Sequence, residues 1–114
     1  MTGFRDVDVT VYENNDPTLV FLISRLTTAG ILIPYPTASR TWNFYLKAAV
    51  GLSDPAPISG TADATQNTPT QSAVIVPLTK TQVGPPGITR YHLDAVLSGA
   101  AETVSAGAFV VIAT

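Results

Sequence analysis

The chain contains no cysteine and carries unusually little charge. Without cysteine it can form neither disulfide bonds nor thiolate metal sites. Its six lysines and arginines are scattered and are outnumbered by eight acidic residues, so no basic cluster could neutralise a row of nucleic-acid phosphates. Charged residues make up 12% of the chain, about half of the ~25% found in a typical globular protein. Such a composition predicts a largely neutral surface, of the kind that packs among partner proteins.

Long apolar runs are also absent. The longest run near the N-terminus is residues 19–23, far shorter than the ~20 residues that cross a bilayer as a helix. The first six residues lack the cationic start and apolar core of a signal peptide. We therefore expect a soluble protein made in the cytoplasm, with no membrane partner. The length of 114 residues predicts a single domain over residues 1–114.

What the chain has in abundance is threonine, with sixteen copies, together with nine prolines and eight glycines. Threonine is β-branched and favours pleated strands. Residues 6–12 alternate strictly, with Val7, Val9 and Val11 on one face, which predicts a half-buried strand. Residues 18–26 carry apolar side chains on both faces, which predicts a strand that is either central in its sheet or covered on both sides. No helical period persists, and at most one helical turn is expected, over residues 79–83.

The rest of the chain continues this strand-and-turn pattern. Residues 41–50 predict a third main strand, with Trp42 anchoring the core. Residues 72–79, 88–97 and 107–113 predict further strands, separated by the turns Gly84-Pro85-Pro86-Gly87 and Ser98-Gly99. Residues 52–71, rich in proline and threonine, predict a long surface loop that could hold one short strand near residues 58–64. The fold class predicted is all-β: a single antiparallel, immunoglobulin-like β-sandwich with one long loop.

Candidate catalytic and metal-binding residues are few. His92 and Asp94 lie two apart on one strand and could orient a general base, but Ser98 lacks the G-x-S-x-G context of a nucleophile. We interpret this pair as part of a solvated strand face. The acidic residues around the first turn lack the spacing of a calcium loop. The sequence therefore predicts no catalytic residue, no cofactor and no metal, and a protein that is not an enzyme.

An interface is the more promising kind of site. Tyrosine combines apolar area with a hydroxyl group and is favoured at interfaces. The candidate interface residues are Ile31, Ile33, Tyr35 and Tyr45. We expect them, with residues 53–70 and the edge strands, to supply the contacts, because a chain with little charge and exposed isoleucines needs a covering partner.

The order of strands and turns resembles that of small β-sandwich proteins in the virions of tailed bacteriophages. These include the N-terminal domain of baseplate upper proteins and the sandwich domains associated with tail fibres. The matching segments are residues 8–12, 18–21, 74–79, 84–87, 91–95 and 107–111. The resemblance covers both ends of the chain but not residues 29–71. It implies a structural, non-enzymatic virion part that docks on other virion proteins, and it transfers no functional residue.

The leading hypothesis is therefore a virion component at the tail tip or baseplate, acting as an accessory or adaptor protein. Its partners would be other virion proteins, and it would be a homo-oligomer or present in many copies. One alternative is a capsid decoration protein that clamps major capsid subunits. A second is a carbohydrate-binding module for the host envelope, which would use the tyrosines and Trp42 on an exposed face.

Overall fold

The computed structural model describes residues 5–46 and 56–114. In these residues the chain is all-β, as predicted, apart from one helical turn and one 3₁₀ turn. The strands are β1 (Arg5–Asp6), β2 (Val9–Tyr12), β3 (Thr18–Leu26), β4 (Leu32–Pro34), β5 (Thr41–Leu46), β6 (Ile58–Ala62), β7 (Ser72–Pro77), β8 (Gly87–Leu97) and β9 (Ala100–Ile112). The helical turn is α1 (Lys80–Val83), and the 3₁₀ turn spans Ala64–Gln66. The expected strand residues 47–50 lie outside the described residues.

These strands form one curled sheet. The order across it is β1-β9-β8-β5-β6-β7-β3-β4, with β2 following β1 along the same edge of β9. Every pair is antiparallel except those of β1 and β2 with β9, which are parallel. The expectation of a purely antiparallel arrangement is thus wrong for the first strand. The Val7 N–H donates to the Ala106 carbonyl at 2.8 Å, and the Tyr91 hydroxyl donates to the Val7 carbonyl at 2.5 Å.

The short strand that the sequence allowed near residues 58–64, inside the long segment 52–71, is present over residues 58–62. These form β6, which lies between β5 and β7 in the sheet, with Phe44 opposite Ile58 and Thr61 opposite Ile75. The composition of β6 resembles that of a loop, because small residues are needed in this strand. A Cβ on Gly60 would lie 3.1 Å from Trp42 Cβ and 3.2 Å from a Val76 methyl group. The alternative of a short strand in this region is the one confirmed.

One hydrophobic core joins side chains from β2, β3, β5, β7, β8 and β9. Trp42 is 3% exposed, which confirms its predicted role as a core residue. The rings of Phe44 and Tyr91 stack at a centroid distance of 5.4 Å, and Phe21 packs against both. The alternation predicted for the first strand is also confirmed, since Val11 is buried and Tyr12 is 56% exposed.

The turns follow the local chemistry of the sequence. α1 begins after Thr79, whose hydroxyl accepts from the Gln82 N–H while the Gln82 side chain accepts from the Thr79 N–H. Ser98 and Gly99, with φ of 51° and 81°, make the two-residue turn between β8 and β9. Such left-handed pairs match the twist of the flanking strands. The last strand, β9, is continuous over thirteen residues from Ala100 and so begins earlier than residue 107, where the sequence predicts its start.

Candidate interaction surface

The four candidate interface residues do not lie on one surface. Ile31 and Ile33 are 60% and 38% exposed on and beside β4. Tyr45 is half-buried on β5, where its ring stacks on His92 at a centroid distance of 4.7 Å. β4 is the last strand of the sheet and β5 lies near its middle. The structure therefore brings Ile31 and Ile33 together and leaves Tyr45 on a different part of the sheet.

The exposure expected for Tyr35 is wrong, because this side chain is buried. Its ring meets Trp42 edge-on at 5.8 Å, and the Arg40 guanidinium lies 5.4 Å from the ring centroid on its face. Its hydroxyl donates a hydrogen bond to the Glu102 carboxylate on β9. This hydrogen bond links the segment after β4 to β9. Because its side chain is buried, Tyr35 cannot serve as an exposed contact.

Burial raises the pKa of Tyr35, and the hydrogen bond to Glu102 and the charge of that carboxylate raise this pKa further, while Arg40 acts in the opposite direction. A folded-state pKa above the unfolded value of about 10 stabilises the protein below pH 10, and this contribution is lost as the pH rises through the folded-state pKa. We expect the ultraviolet tyrosinate titration of wild type minus that of Tyr35→Phe to show one tyrosine ionising above pH 10. A difference curve centred at or below the ordinary value would contradict the contact with Glu102.

Between β3 and the β8–β9 hairpin the sheet leaves an open groove of about 1030 Å³. Its lining includes Leu22, Arg25, Tyr35, Arg40, Leu97 and Glu102. The Tyr35–Glu102 hydrogen bond and the stacked Arg40 belong to this groove. It therefore combines apolar edges with charges of both signs along one side of β3.

An apolar surface that the sequence patterns did not predict covers the outside of the sheet at β3 and β4. Val20 and Leu22 are 46% and 38% exposed, so of the two alternatives expected for this strand, coverage on both sides is wrong. Leu26 and Leu32 face each other across β3 and β4 and are 64% and 53% exposed. We call Val20, Leu22, Leu26 and Leu32 the outer apolar face. In the sequence, the sign of this face is that Val20 and Leu22 are apolar as well as the alternating core residues of β3.

The interpretation of His92 as part of a solvated strand face is also wrong. His92 is 1% exposed, because it lies on the central strand β8 with the Tyr45 ring stacked on it and Ala106 opposite it on β9. Its Nε2 lies 3.7 Å from Asp94 Oδ2, and the other Asp94 oxygen accepts from the Thr103 hydroxyl at 2.7 Å. A general base has to reach the proton it abstracts, and the His92 side chain is buried while Asp94 is half-buried.

The aromatic side chains that a sugar platform would use lie mostly in the core. Trp42, Tyr91 and Tyr35 are 3%, 1% and 8% exposed. Tyr12, on β2, is the exposed one among the large aromatic residues that the structure describes. One ring cannot form a stacking platform, so the described surface does not favour carbohydrate binding.

In the described ranges, no group of three or more histidine, aspartate or glutamate side chains is arranged to hold a metal ion. The helical segments there are too short and too polar to cross a membrane. Comparison of the chain with protein-family models and with curated proteins finds no match.

Proposed function

We propose that the chain is a non-enzymatic structural component of a tailed-phage virion, a tail-tip or baseplate accessory that docks on other virion proteins. The observation that carries the docking role is the outer apolar face. The virion assignment comes from the resemblance of the strand and turn order to phage sandwich proteins. In this proposal the protein is made in the host cytoplasm, joins the particle and is present there in several copies.

The proposed fold is an immunoglobulin-like sandwich. The order β6-β7-β3 corresponds to strands D-E-B of such a fold, and the order β5-β8-β9 corresponds to C-F-G. The buried Trp42 lies on β5, which occupies the position of strand C, where immunoglobulin domains carry a core tryptophan. β6 pairs with both β5 and β7 and would form the corner between the two layers. These correspondences support the sandwich proposal, and strong bending at β6 is what it requires.

Protein docking suits the outer apolar face better than glycan binding does. Its four side chains are aliphatic, and a carbohydrate module would need exposed aromatic rings. Monomeric proteins seldom leave contiguous apolar patches uncovered. With 12% charged residues, the chain has little charge elsewhere to keep such a face soluble. A protein partner that covers β3 and β4 would remove this apolar face from water.

A capsid decoration protein remains the alternative within the same class, since clamping capsid subunits would use the same aliphatic chemistry. The two differ in where and how often the chain occurs in a particle. Electron cryo-microscopy of purified particles would place it either at the tail or on the capsid shell. The absence of the chain from purified particles would overturn both versions.

The docking role predicts that the variant Leu26→Lys/Leu32→Glu folds normally but enters particles poorly. Both side chains are more than half exposed and lie opposite each other, so the new charges can pair while removing the apolar surface. We expect its melting temperature to stay near that of wild type and its copy number per particle, measured by mass spectrometry, to fall at least tenfold. The control is Tyr12→Lys, a comparable apolar-to-charged change at an exposed position on β2. Normal incorporation of the double variant would place the docking contacts elsewhere.

A further inference from the structure

One edge of β3 is left open. β7 pairs with β3 from Thr18 to Ile23, and β4 pairs with β3 only from Ser24 onward. The Tyr35 N–H bonds to the Ile23 carbonyl where β4 ends. Within the described residues, no strand pairs with residues 18–22 on the edge of β3 that faces away from β7.

The hydrogen bond at Pro17, just before β3, shows which backbone N–H and C=O groups of β3 point away from β7. The Leu78 N–H donates to the Pro17 carbonyl at 2.8 Å, so Pro17 points toward the β7 side. Because successive residues of a strand point their backbone groups to opposite edges, the N–H and C=O groups of Thr18, Val20 and Leu22 point to the open one. Residues 18–23 contain neither charge nor proline, the usual protections of a strand edge. This edge is therefore a template for another strand.

We propose that β3 pairs with β3 of a second copy of this chain, antiparallel about a two-fold axis at Val20. Val20 then faces the partner's Val20, and Thr18 faces the partner's Leu22. Each of these pairs joins residues whose N–H and C=O groups both point to the open edge, so each exchanges both backbone hydrogen bonds. Pro17, which has no N–H, ends the paired segment opposite Ile23 of the other copy. The register is self-complementary, as a closed two-fold interface requires.

Charge also favours a second copy as the occupant. No charged residue lies on the paired segment, so no like charges meet there. The exposed Arg25 lies at one end of β3, and the acidic residues Glu13 and Asp16 lie in the turn at its other end. Antiparallel pairing places the Arg25 end of each copy beside the acidic turn of the other. The interface is thus neutral in the middle and complementary at both ends.

The pairing would also join the outer apolar faces of the two copies, because Val20 and Leu22 of each chain would lie beside those of its partner. This inference goes beyond the proposed function and does not depend on it, since it concerns the free protein in solution. In this proposal the contact between copies is made by the backbone edge of β3 and not by the outer apolar face.

The test uses a single introduced cysteine in a chain that has none. Directly opposite residues of a hydrogen-bonded antiparallel pair have Cα atoms about 5.5 Å apart, within the ~4.4–6.8 Å range of disulfides. We expect Val20→Cys to form a covalent dimer under mild oxidation at low micromolar concentration. Thr81→Cys, at an exposed site on α1, should stay monomeric. Wild type should sediment at twice the mass of 11.9 kDa of a single chain.

Val20→Pro tests the backbone hydrogen bonds directly. The Val20 N–H points to the open edge, where a strand tolerates proline, so the fold should survive while two hydrogen bonds between copies are lost. We expect the dimer dissociation constant to rise about 30-fold. Val20→Lys, which places like charges opposite each other, should weaken the dimer by a separate route. A wild type that stays monomeric at ~100 μM with no Val20→Cys cross-link, or cross-linking equal to that of Thr81→Cys, would overturn the proposal.

Discussion

Replacing Trp42 with alanine is expected to lower the free energy of unfolding by about 3–5 kcal/mol. The side chain is 3% exposed and touches the Tyr35 ring edge-on, and its Cβ lies close to Gly60 of β6. Removing it opens a cavity at the corner where β5, β6 and the segment after β4 meet. Since small domains have only about 5–15 kcal/mol of stability in total, much of the sample should be unfolded at moderate temperature. Urea or guanidinium unfolding followed by circular dichroism measures this loss.

The matched variant is Trp42→Phe. Trp42 Nε1 is buried and has no hydrogen-bond partner among the described residues. Phenylalanine keeps an aromatic ring and removes this unpaired donor, so we expect its cost to be well under half that of alanine. Tyr12→Ala, at an exposed aromatic position, should change stability by no more than about 0.5 kcal/mol. Near-wild-type unfolding of Trp42→Ala would mean that the ring does not support the core.

Local patterns were enough to predict much of the fold. The strict alternation of residues 6–12 placed Val11 inside and Tyr12 outside, and Trp42 was correctly assigned to the core. The two-residue turn at Ser98-Gly99 and the helical turn after Thr79 were also found, because their chemistry lies within a few residues. Each of these features is determined by neighbours along the chain.

Features that depend on distant partners were missed. The parallel pairing of β2 with β9 joins residues 100 positions apart, and the alternation of residues 6–12 is the same for parallel and antiparallel neighbours. β6 was predicted only as a possible short strand inside a long loop, because Ser59, Gly60 and Ala62 resemble a loop in composition. Small residues are favoured there by the close approach of Trp42 and Val76, which only the folded sheet reveals.

The exposure of the candidate interface residues was predicted in part. Ile31 and Ile33 are exposed as expected, while Tyr35 is buried because Glu102, Trp42 and Arg40 surround it. The second apolar row of β3 was correctly identified, but a row of this kind looks the same whether its own domain or another protein covers it. That ambiguity is physical: the sequence records that Val20 and Leu22 are apolar, not what covers them. The docking role and the pairing of two copies are two separate proposals for what covers these side chains.

The second large effect is expected at Gly107, where β9 meets the first strand most closely. A Cβ at this position would lie 2.3 Å from the carbonyl oxygen of Val7 and 2.8 Å from its carbonyl carbon. These are backbone atoms, so no side-chain rotation can relieve the clash. The same Val7 carbonyl accepts a hydrogen bond from the Tyr91 hydroxyl, which holds it in place from the other side.

Gly107→Ala should therefore force β1 and β2 away from β9 and lower the free energy of unfolding by about 3 kcal/mol, the upper end of the range for added core volume. The displacement would break the Val7–Ala106 hydrogen bond of 2.8 Å and the 3.1 Å bond from the Ala108 N–H to Asp8. Hydrogen exchange should consequently show loss of protection at the Val7 amide before the amides of β8. Ala101→Val, an enlargement at an exposed position of the same strand, is the control and should leave both quantities nearly unchanged. If Gly107→Ala keeps the Val7 amide protected and the stability of wild type, the first strand cannot approach β9 as closely as this sheet requires.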